Sequence, residues 1–419
     1  MKILSFSYCF PNAAKPTWGV FVQQRLAALA KLVDLEVVSP WPEFPVFSRL
    51  RDGSGQPDDG QWEGLVVHRP RWFYLPGVLK SLDARFYARG IRRWLADLCR
   101  HWGPDLLDAH FVWPDGVGVS LLARGMGLPY AITLRGKIYP CLEVPSQRRQ
   151  CADALRHAAV VISVDSKMAS VAQGLGVDRG RIHVIPNGVD TSRFHPRDKS
   201  SARRELGLPL DGRLLVTVAH LGPRKGHREA VQALACLPAD VRLVIVGPDP
   251  ERGKNDRMLR KKAHKLGLDG RVLLVGPQPH EKVPLYFAAA DASVLASYRE
   301  GCPNVVLESL ACGTPVVATD VGAVQDIVHP GRNGEIVPAR DADALAAGLV
   351  RALARNWDAR QVAMSTSVRS WDEVARQVYG VLAGALKHPI SPALVAGTGQ
   401  PAGAAKRATP GATVKRGAR

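Results

Sequence analysis

Short apolar segments alternate with helical patterns along most of the chain, and this alternation limits the possible folds more than any other feature. Six such segments lie in the first half, at residues 3–8, 35–39, 65–69, 106–109, 130–134 and 160–164. Six more lie in the second half, at residues 214–219, 242–246, 272–275, 292–295, 315–318 and 334–337. Continuous apolar strands separated by helices are typical of parallel sheets covered on both faces. The chain is therefore predicted to be an α/β protein with two doubly wound, Rossmann-like domains.

The strand rhythm is interrupted between residues 194 and 209, where charged residues and prolines accumulate. We therefore predict one domain over residues 1–197 and a second over residues 198–370, followed by a helix at residues 371–388. Residues 389–419 are rich in Ala, Gly, Pro and Thr and contain basic but no acidic residues. This composition predicts a disordered basic tail.

The formal net charge of the chain is +18. Such an excess of positive charge indicates a partner with phosphates, which could be a nucleotide, an anionic lipid surface or nucleic acid. The charge alone does not distinguish these three. No run reaches the roughly 18 apolar residues that cross a bilayer. The short apolar start is predicted to be a strand rather than a secretion signal. Scattered cysteines without a CxxC pair suggest reduced thiols, so a cytoplasmic location is expected.

Residues 300–322, EGCPNVVLESLACGTPVVATDVG, form the most informative motif. Glu300 follows a predicted strand, and Glu308 lies inside the next helix, with seven residues between the two carboxylates. The residues at the start of that helix are Cys302, Pro303, Asn304 and Val305. The first N–H groups of a helix have no partner within it, so this position is a natural anion site. Taken alone, two such glutamates are more often solvated residues that a helix dipole stabilises.

This stretch resembles the E-x7-E motif of the retaining glycosyltransferases of family GT4, which have the two-domain GT-B fold. Four further segments are similar to the family's and follow its order: DLLDAHF, PYAITLRGK, IPNGVDTSRFHP and VAHLGPRKG, within residues 105–226. One E-x7-E motif is a weak signal, but five segments in register are a strong one. The resemblance covers roughly residues 1–386 and implies a GT-B fold whose C-terminal helix crosses back onto the first domain.

The resemblance implies an enzyme that moves a sugar from a nucleotide diphosphate sugar to an acceptor hydroxyl with retention of configuration. Glu308 would bind the ribose hydroxyls, and Glu300 with the amides after it would hold the transferred sugar and the β-phosphate. Arg224 and Lys225 would neutralise the leaving diphosphate, so neither a metal ion nor another cofactor is expected. The donor would bind the second domain, and a carbohydrate or lipid-linked acceptor would bind the first.

Two positions depart from the family's pattern. His220 stands where members often have Arg, and Arg135 stands where many have a His that touches the donor sugar. His110 occupies the family's other N-domain histidine position, and Gly19 resembles its glycine-containing loop near the acceptor and the phosphate. The predicted catalytic residues are Glu300, His110 and Arg135. The predicted donor-binding residues are Arg224, Lys225, His220, Glu308, Cys302, Pro303, Asn304, Val305 and Gly19.

Other interpretations start from single features. Asp341 and Asp343 resemble a metal-binding DxD pair, but they precede a helical pattern and are predicted to cap it. A nucleotide-sugar epimerase would share the fold. An NAD enzyme would need a GxGxxG turn after a strand, which the sequence does not supply there. A nucleic-acid-binding protein is suggested only by the charge, because no readout module is visible, and no nucleic-acid partner is expected.

Residues 71–98 combine a basic and an apolar helical stripe. The basic stripe contains Arg85, Arg89, Arg92 and Arg93. One interpretation is a helix that lies on anionic lipid at the inner face of the cytoplasmic membrane. The other is a helix that packs its apolar side on the first sheet and exposes its arginines to water.

The resemblance to the family also implies a pathway, which would be bacterial exopolysaccharide, lipopolysaccharide or glycolipid assembly.

Overall fold

The computed structural model describes residues 1–44, 59–365 and 368–387. The predicted tail lies outside these residues. Within them, every strand predicted above is present, and four short strands were missed. The strands of the first half are β1 (Lys2–Phe6), β2 (Asp34–Val38), β3 (Trp41–Glu43), β4 (Gly60–Trp62), β5 (Leu65–His68), β6 (Arg71–Phe73), β7 (Leu106–His110), β8 (Tyr130–Leu134), β9 (Val160–Ser163) and β10 (Ile182–Val184). Those of the second half are β11 (Arg213–Val218), β12 (Val241–Val246), β13 (Val272–Gly276), β14 (Ala292–Leu295), β15 (Val316–Thr319) and β16 (Gly334–Val337).

The helices fill the intervals between strands. In the first half they are α1 (Val20–Ala30), α2 (Asp83–Trp102), α3 (Val117–Met126), α4 (Ile138–Leu142), α5 (Pro145–His157) and α6 (Ser166–Gly174). The remaining helices are α7 (Lys199–Glu205), α8 (His227–Leu234), α9 (Lys254–Lys265), α10 (Val283–Ala289), α11 (Asn304–Ala311), α12 (Val324–Ile327), α13 (Ala342–Ala354), α14 (Ala359–Ala363) and α15 (Trp371–Lys387). Strands and helices thus alternate as the apolar pattern predicts.

The first sheet has eight strands in the order β10-β9-β8-β7-β1-β2-β5-β4, and β3 and β6 form a separate parallel pair. Neighbours in the large sheet are parallel except at one edge, where β4 runs antiparallel to β5. The expectation of purely parallel sheets is wrong there. Glu63 and Gly64, between the two strands, both have positive φ, of 47° and 83°. Two successive residues of that kind make a tight hairpin turn, which reverses the chain without a helical crossover.

The second sheet has six strands in the order β13-β12-β11-β14-β15-β16, and all its pairs are parallel. Both faces are apolar and buried. Val216 and Val244 face one core layer, and Leu215 and Leu243 face the other. Helices therefore cover this sheet on both sides, as continuous apolar strands require.

Helix α15 returns from the second sheet to the first. Its apolar face packs with Leu26 and Leu29 of α1 in one buried cluster. The chain passes between the two halves twice, and the two segments run side by side. Val189 pairs with Ser370, and the Val189 N–H donates to the Arg369 carbonyl at 2.8 Å. The exact boundary between the domains, placed at residue 197 from the sequence, stays a prediction.

Helix α2 buries its apolar stripe against the first sheet. Ile91 and Leu95 are fully inaccessible within the core of the first half. The four arginines predicted for the basic stripe are exposed at the surface. The packing interpretation therefore accounts for the apolar side of this helix. Of the two stripes, only the exposed arginines are available to contact a lipid surface.

Candidate functional site

The loop after β11 and the loop after β14 lie against each other at the carboxyl edge of the second sheet. The Tyr298 N–H donates to the Arg224 carbonyl at 2.8 Å. Gly226 lets the loops approach, because a Cβ at this position, where φ is +67°, would lie 1.9 Å from the Ala296 carbonyl oxygen. Lys225 and Glu300 form an ion pair across the two loops, with 2.6 Å between Nζ and Oε1.

His220 stands at the start of the loop after β11. Its Nδ1 accepts a hydrogen bond from the Gly222 N–H at 3.0 Å. Partial burial and the Lys225 ammonium lower the pKa of His220, so its ring is neutral at physiological pH. Arg224 beside it is exposed, and no carboxylate of the described residues lies within 4.0 Å of its guanidinium. The fixed charge at this edge is therefore that of Arg224 and Lys225 rather than of His220.

Helix α11 begins at Asn304, directly after the buried Pro303. Pro303 occupies the N-cap position and makes no side-chain hydrogen bond to the helix. Because the first N–H groups of a helix have no partner within it, those of α11 receive no side-chain cap from Pro303. Cys302 and Val305 flank this start and are partly buried. Glu308 lies one turn further along, and its Oε1 is 4.0 Å from Nε2 of His280.

In the first half, His110 is fully buried at the end of β7. Its Nε2 lies 3.0 Å from Oδ2 of Asp108, and its Nδ1 lies 3.4 Å from a guanidinium nitrogen of Arg135. A guanidinium only donates, so Nδ1 accepts and the proton is on Nε2, which donates to Asp108. Burial lowers the pKa of His110 to about 4. His110 is therefore a neutral imidazole of defined tautomer.

Arg135 connects His110 with the second half. Its Nη1 donates to Oδ1 of Asn187 at 2.9 Å, and the Asn187 amide donates to Oδ1 of Asn304 at 2.7 Å. The guanidinium also lies over the Phe21 ring, 4.9 Å from its centroid. Burial lowers the pKa of Arg135 to about 9, so it stays charged at neutral pH. A continuous polar chain thus runs from His110 to the start of α11.

Gly19 has a structural role whatever it binds. It precedes α1 with φ of +81°, and a Cβ there would lie 2.2 Å from the Cys9 carbonyl oxygen. The predicted capping role of Asp341 is confirmed, because its carboxylate accepts from the Ala344 N–H at 2.8 Å. Within the described part of the chain, no three His, Cys, Asp or Glu side chains are grouped to hold a metal ion.

The two halves meet where their strand ends face each other. A Cβ on Gly136, just after Arg135, would lie 3.4 Å from Cα of Gly301, next to Glu300. The predicted catalytic residues Glu300, His110 and Arg135 are therefore joined in one region through Gly136, Gly301 and Asn187. Their roles stay predictions, since proximity alone assigns no chemistry.

Sequence reasoning missed several side chains of this region. Asn187 was interpreted only as part of a tight turn, yet it joins Arg135 to Asn304. His280 follows β13 and reaches Glu308, although no local motif marks it. Its position beyond the carboxyl end of a parallel strand is the one signal that could have pointed to it.

Comparison with known proteins identifies the family. The profile of Glycosyl transferases group 1 matches residues 198–371, and that of Glycosyltransferase Family 4 matches residues 19–193. The chain is 33% identical over 364 residues to the teichuronic acid biosynthesis glycosyltransferase TuaC of Bacillus subtilis, with 84% of this chain and 89% of that protein covered. It is 35% identical over 378 residues to a D-inositol 3-phosphate glycosyltransferase of Xylanimonas cellulosilytica, with 82% and 88% covered.

Solved structures share the architecture. Sucrose-phosphate synthase from Thermosynechococcus elongatus superposes with a TM-score of 0.74 at 23% identity, over 92% of this chain and 98% of that one. Anabaena HepE in complex with UDP superposes with a TM-score of 0.71 at 20% identity, over 92% and 100%. Two Rossmann-like sheets with facing strand ends and a returning C-terminal helix define the GT-B class, as predicted.

The chain belongs to the group 1 glycosyltransferases, with the family 4 N-terminal domain. The prediction of a glycosyltransferase enzyme is thereby confirmed. Among the described residues, no helix is both long and apolar enough to cross a lipid bilayer.

Proposed function

We propose that this enzyme takes a sugar from a nucleoside diphosphate sugar and passes it, with retention of anomeric configuration, to a hydroxyl of a carbohydrate or lipid-linked acceptor. The observation that carries the proposal is the Lys225–Glu300 ion pair of 2.6 Å, close to the start of α11. An ammonium group and a helix N-terminus both bind phosphate well. Anabaena HepE has been solved with UDP and with UDP-glucose, which supports this donor class.

The proposed roles follow from charge and position. Lys225 would share its ammonium between Glu300 and the β-phosphate, while the exposed Arg224 approaches the same phosphates. Glu308, one turn inside α11, would accept from both ribose hydroxyls, a geometry that suits a carboxylate. As negative charge grows on the departing diphosphate, these fixed cations stabilise it, so no metal ion is required.

Retention needs either a carboxylate nucleophile or attack from the face that the leaving group vacates. Three acidic residues of the first half lie near the strand ends. Asp108 is fully buried behind His110, and Asp115 is fully buried, where it accepts from the Tyr8 N–H at 3.1 Å. Asp165 is also fully buried, where it accepts from the Met168 N–H and caps α6. Since none of the three presents its carboxylate to the cleft, we propose the front-face route, in which the leaving phosphate takes the acceptor's proton.

The test is a binding screen with UDP-, GDP- and ADP-sugars by thermal shift and calorimetry. One of these ligands should bind, and Glu308→Ala should weaken it about 10–100-fold because two hydrogen bonds to a charged group are lost. Lys225→Ala should weaken it about tenfold. Glu205→Ala, an exposed carboxylate on α7, is the matched control and should change nothing. If no nucleotide sugar binds the wild type, or Glu308→Ala binds normally, the proposal is wrong; the anomeric configuration of the product, read by NMR, tests retention.

We also propose that the enzyme acts in bacterial surface polysaccharide or glycolipid assembly, in the cytoplasm at the inner face of the membrane. The relative named for teichuronic acid biosynthesis supports the pathway class. The exposed arginines of α2 support contact with anionic lipid. Cosedimentation with phosphatidylglycerol vesicles should fall with salt and with Arg89→Gln/Arg93→Gln. Binding that neither change alters would exclude the arginine surface.

A further inference from the structure

Helix α1 covers a face of the first sheet that carries a line of polar side chains among apolar ones. Leu106 of β7 packs in the apolar cluster under this helix. Because side chains alternate between the two faces of a strand, Asp108 and His110 lie on the same face as Leu106. Ser5 of β1 is in register with Asp108, and Thr133 of β8 is in register with His110. All four polar side chains are fully inaccessible, so they form a buried polar layer under α1.

Arg25 of α1 points into this layer. Val22 and Leu29, three residues before it and four after it, are fully buried in the cluster under the helix. Residues at these spacings share a helix face, so the Arg25 side chain is directed at the sheet as they are. It is 1% exposed, and its Nε and Nη2 have no hydrogen-bond partner among the described residues. A guanidinium stays charged in a protein, so a positive charge is buried between the helix and the sheet.

Asp108 supplies the negative charge of the layer. Its Oδ2 accepts from the Ser5 hydroxyl at 3.1 Å and lies 3.0 Å from Nε2 of His110, while its Oδ1 has no hydrogen-bond partner in the described part of the chain. Although burial opposes ionisation, the pKa of Asp108 lies below its usual range because His110 and Arg25 stabilise the carboxylate. The attraction between Arg25 and Asp108 acts through space, since charges in a buried layer interact over longer distances than in water.

The charged groups of the layer act on His110 with opposite signs. Burial and the two cations Arg25 and Arg135 lower the pKa of His110, whereas the Asp108 carboxylate raises it. The net result is a pKa of about 4 and a neutral ring. The hydroxyls in this layer on β1 and β8 carry no charge. The charged groups that face His110 are therefore Asp108 on its own strand, Arg25 on α1 and Arg135 after β8.

The charge of His110 determines how Arg135 is held. Nδ1 of the neutral ring lies 3.4 Å from a guanidinium nitrogen of Arg135 and accepts from it. A protonated ring carries an N–H at Nδ1, so two donors would face each other and Arg135 would lose this partner. Arg135 is followed by Gly136, which lies against Gly301 beside Glu300. A shift of Arg135 would therefore reach the E-x7-E segment.

We propose that Arg25 is a positioning residue for the transfer reaction: its charge keeps His110 neutral, and the neutral ring holds Arg135 in place at the cleft. A methionine would fill a similar volume without the cost of burying a charge, so packing alone does not explain an arginine at this position. The inference rests on the proposed function for the transfer reaction. The charge of His110 is a property of the protein alone and is measured without substrate.

The first test is an NMR titration of His110 in protein with labelled histidines, with its signal assigned from His110→Gln. In Arg25→Met the pKa of His110 should rise from about 4 to about 6, because a like charge is removed. Arg25→Lys retains the charge and should keep the wild-type value. Arg124→Met is the matched control, since Arg124 pairs with Asp153 at 2.9 Å elsewhere in the first half. An unchanged titration of His110 in Arg25→Met would overturn the inference.

The second test is the release of nucleoside diphosphate from UDP-glucose, GDP-mannose or ADP-glucose, whichever the wild type turns over fastest. The ratio of kcat between Arg25→Met and the wild type should fall about tenfold from pH 8 to pH 5, because the neutral fraction of His110 falls by that factor only in the variant. Burial raises the pKa of Asp115 to about 8 and that of Asp165 to about 6, but both are present in the two proteins and cancel in the ratio.

A double variant separates charge from packing. Arg25→Met/Asp108→Asn removes both charges, so it leaves no unbalanced carboxylate that would hinder folding, and it should restore the neutral His110 and a kcat ratio that does not change with pH. A pH-independent ratio in Arg25→Met itself, or a double variant with the summed losses of its two single variants, would mean that Arg25 only supports packing. If none of the three nucleotide sugars is turned over while the titrations agree with expectation, the proposed function is wrong and the control of His110 by Arg25 stands.

Discussion

At the residue scale, Arg193 determines the tautomer of His280, whose ring lies beside Glu308. Its Nη1 lies 2.6 Å from Nδ1 of His280, and its Nε lies 3.7 Å from the Asp190 carboxylate. Because a guanidinium only donates, Nδ1 of His280 accepts, and the ring proton is on Nε2, which faces Glu308 at 4.0 Å. The ring of Phe194 packs edge-on against His280 at 5.6 Å. The segment that follows Asn187 therefore contacts the second half through Arg193.

Replacing His280 should change donor affinity more than turnover. His280→Ala removes the N–H that faces Glu308, so the carboxylate is less well oriented for the ribose. We expect the donor KM to rise about 3–10-fold with kcat changed less than about twofold. The neighbouring exposed Glu281→Ala is the control. A fall in kcat at unchanged KM would show that His280 acts elsewhere in the reaction.

His227 should make stability depend on pH. It is 4% exposed and bonds the His220 carbonyl at 3.1 Å, and burial lowers its pKa to about 4. Between pH 6.5 and 4 the unfolded chain binds a proton there that the folded chain does not, so stability falls as the pH falls. Lowering the pH from 7 to 5 should cost the wild type about 2 kcal/mol more than His227→Gln.

Urea unfolding of both proteins at the two pH values measures this difference. Burial also lowers the pKa of His110 to about 4 and raises that of Asp115 to about 8. These two groups act with opposite signs but are present in both proteins, so their contributions cancel in the comparison. Equal pH dependence of the two proteins would mean that His227 is protonated in the folded state.

At the element scale, α15 packs the end of the described chain against the first half. Val378 and Leu382 are completely buried, one turn apart, and the helix shares their cluster with α1. Lys31 adds an exposed ion pair of 2.8 Å with Asp372. Apolar burial contributes most of the attachment energy, because an exposed ion pair is worth at most about 1 kcal/mol.

Leu382→Ala should therefore destabilise the protein by about 2–5 kcal/mol, since it removes buried methyl groups and leaves a cavity. Tyr379→Ala on the same helix is the matched control, because this side chain is 40% exposed, and it should cost less than about 1 kcal/mol. Denaturant unfolding measures both values. Equal effects would mean that the helix does not depend on its buried face.

At the scale of the whole molecule, polar contacts join the two halves beside the cleft. Lys167 of α6 lies 2.7 Å from Asp320, and Ser166 donates to Asp326 through its N–H at 2.8 Å and its hydroxyl at 2.9 Å. Ser166, Lys167 and Asp320 are exposed and Asp326 is half-buried, so each contact contributes little free energy. A two-domain enzyme that opens for substrates and closes around them needs an interface of this kind, which is polar and held by weak contacts.

Lys167→Ala/Asp326→Ala should therefore loosen the interface without unfolding either half. We expect a stability loss below about 1 kcal/mol together with a larger radius of gyration in X-ray scattering. Arg351→Ala/Glu335→Ala removes a 3.0 Å ion pair inside the second half and should leave the scattering unchanged. An unchanged radius in the first variant would show that other contacts hold the halves together.

Much of this architecture was predictable from local patterns. Strands such as Tyr130–Leu134 and Gly334–Val337 were predicted to the residue, because continuous apolar runs between helices have few other solutions. Strand β4 was missed, since a three-residue edge strand with an exposed face leaves almost no hydrophobic pattern. Its antiparallel direction follows from the Glu63–Gly64 turn, which periodicity does not detect.

The sequence by itself determined the fold class and the family, because these depend on patterns of residues close together in the chain. Only the tertiary structure decided which distant side chains meet. Examples are Lys225 with Glu300, Asn187 with Asn304, and His280 with both Arg193 and Glu308. The physical reason is that such contacts depend on how two sheets pack and how loops from different strands approach. Periodicity and motif spacing carry no information about either.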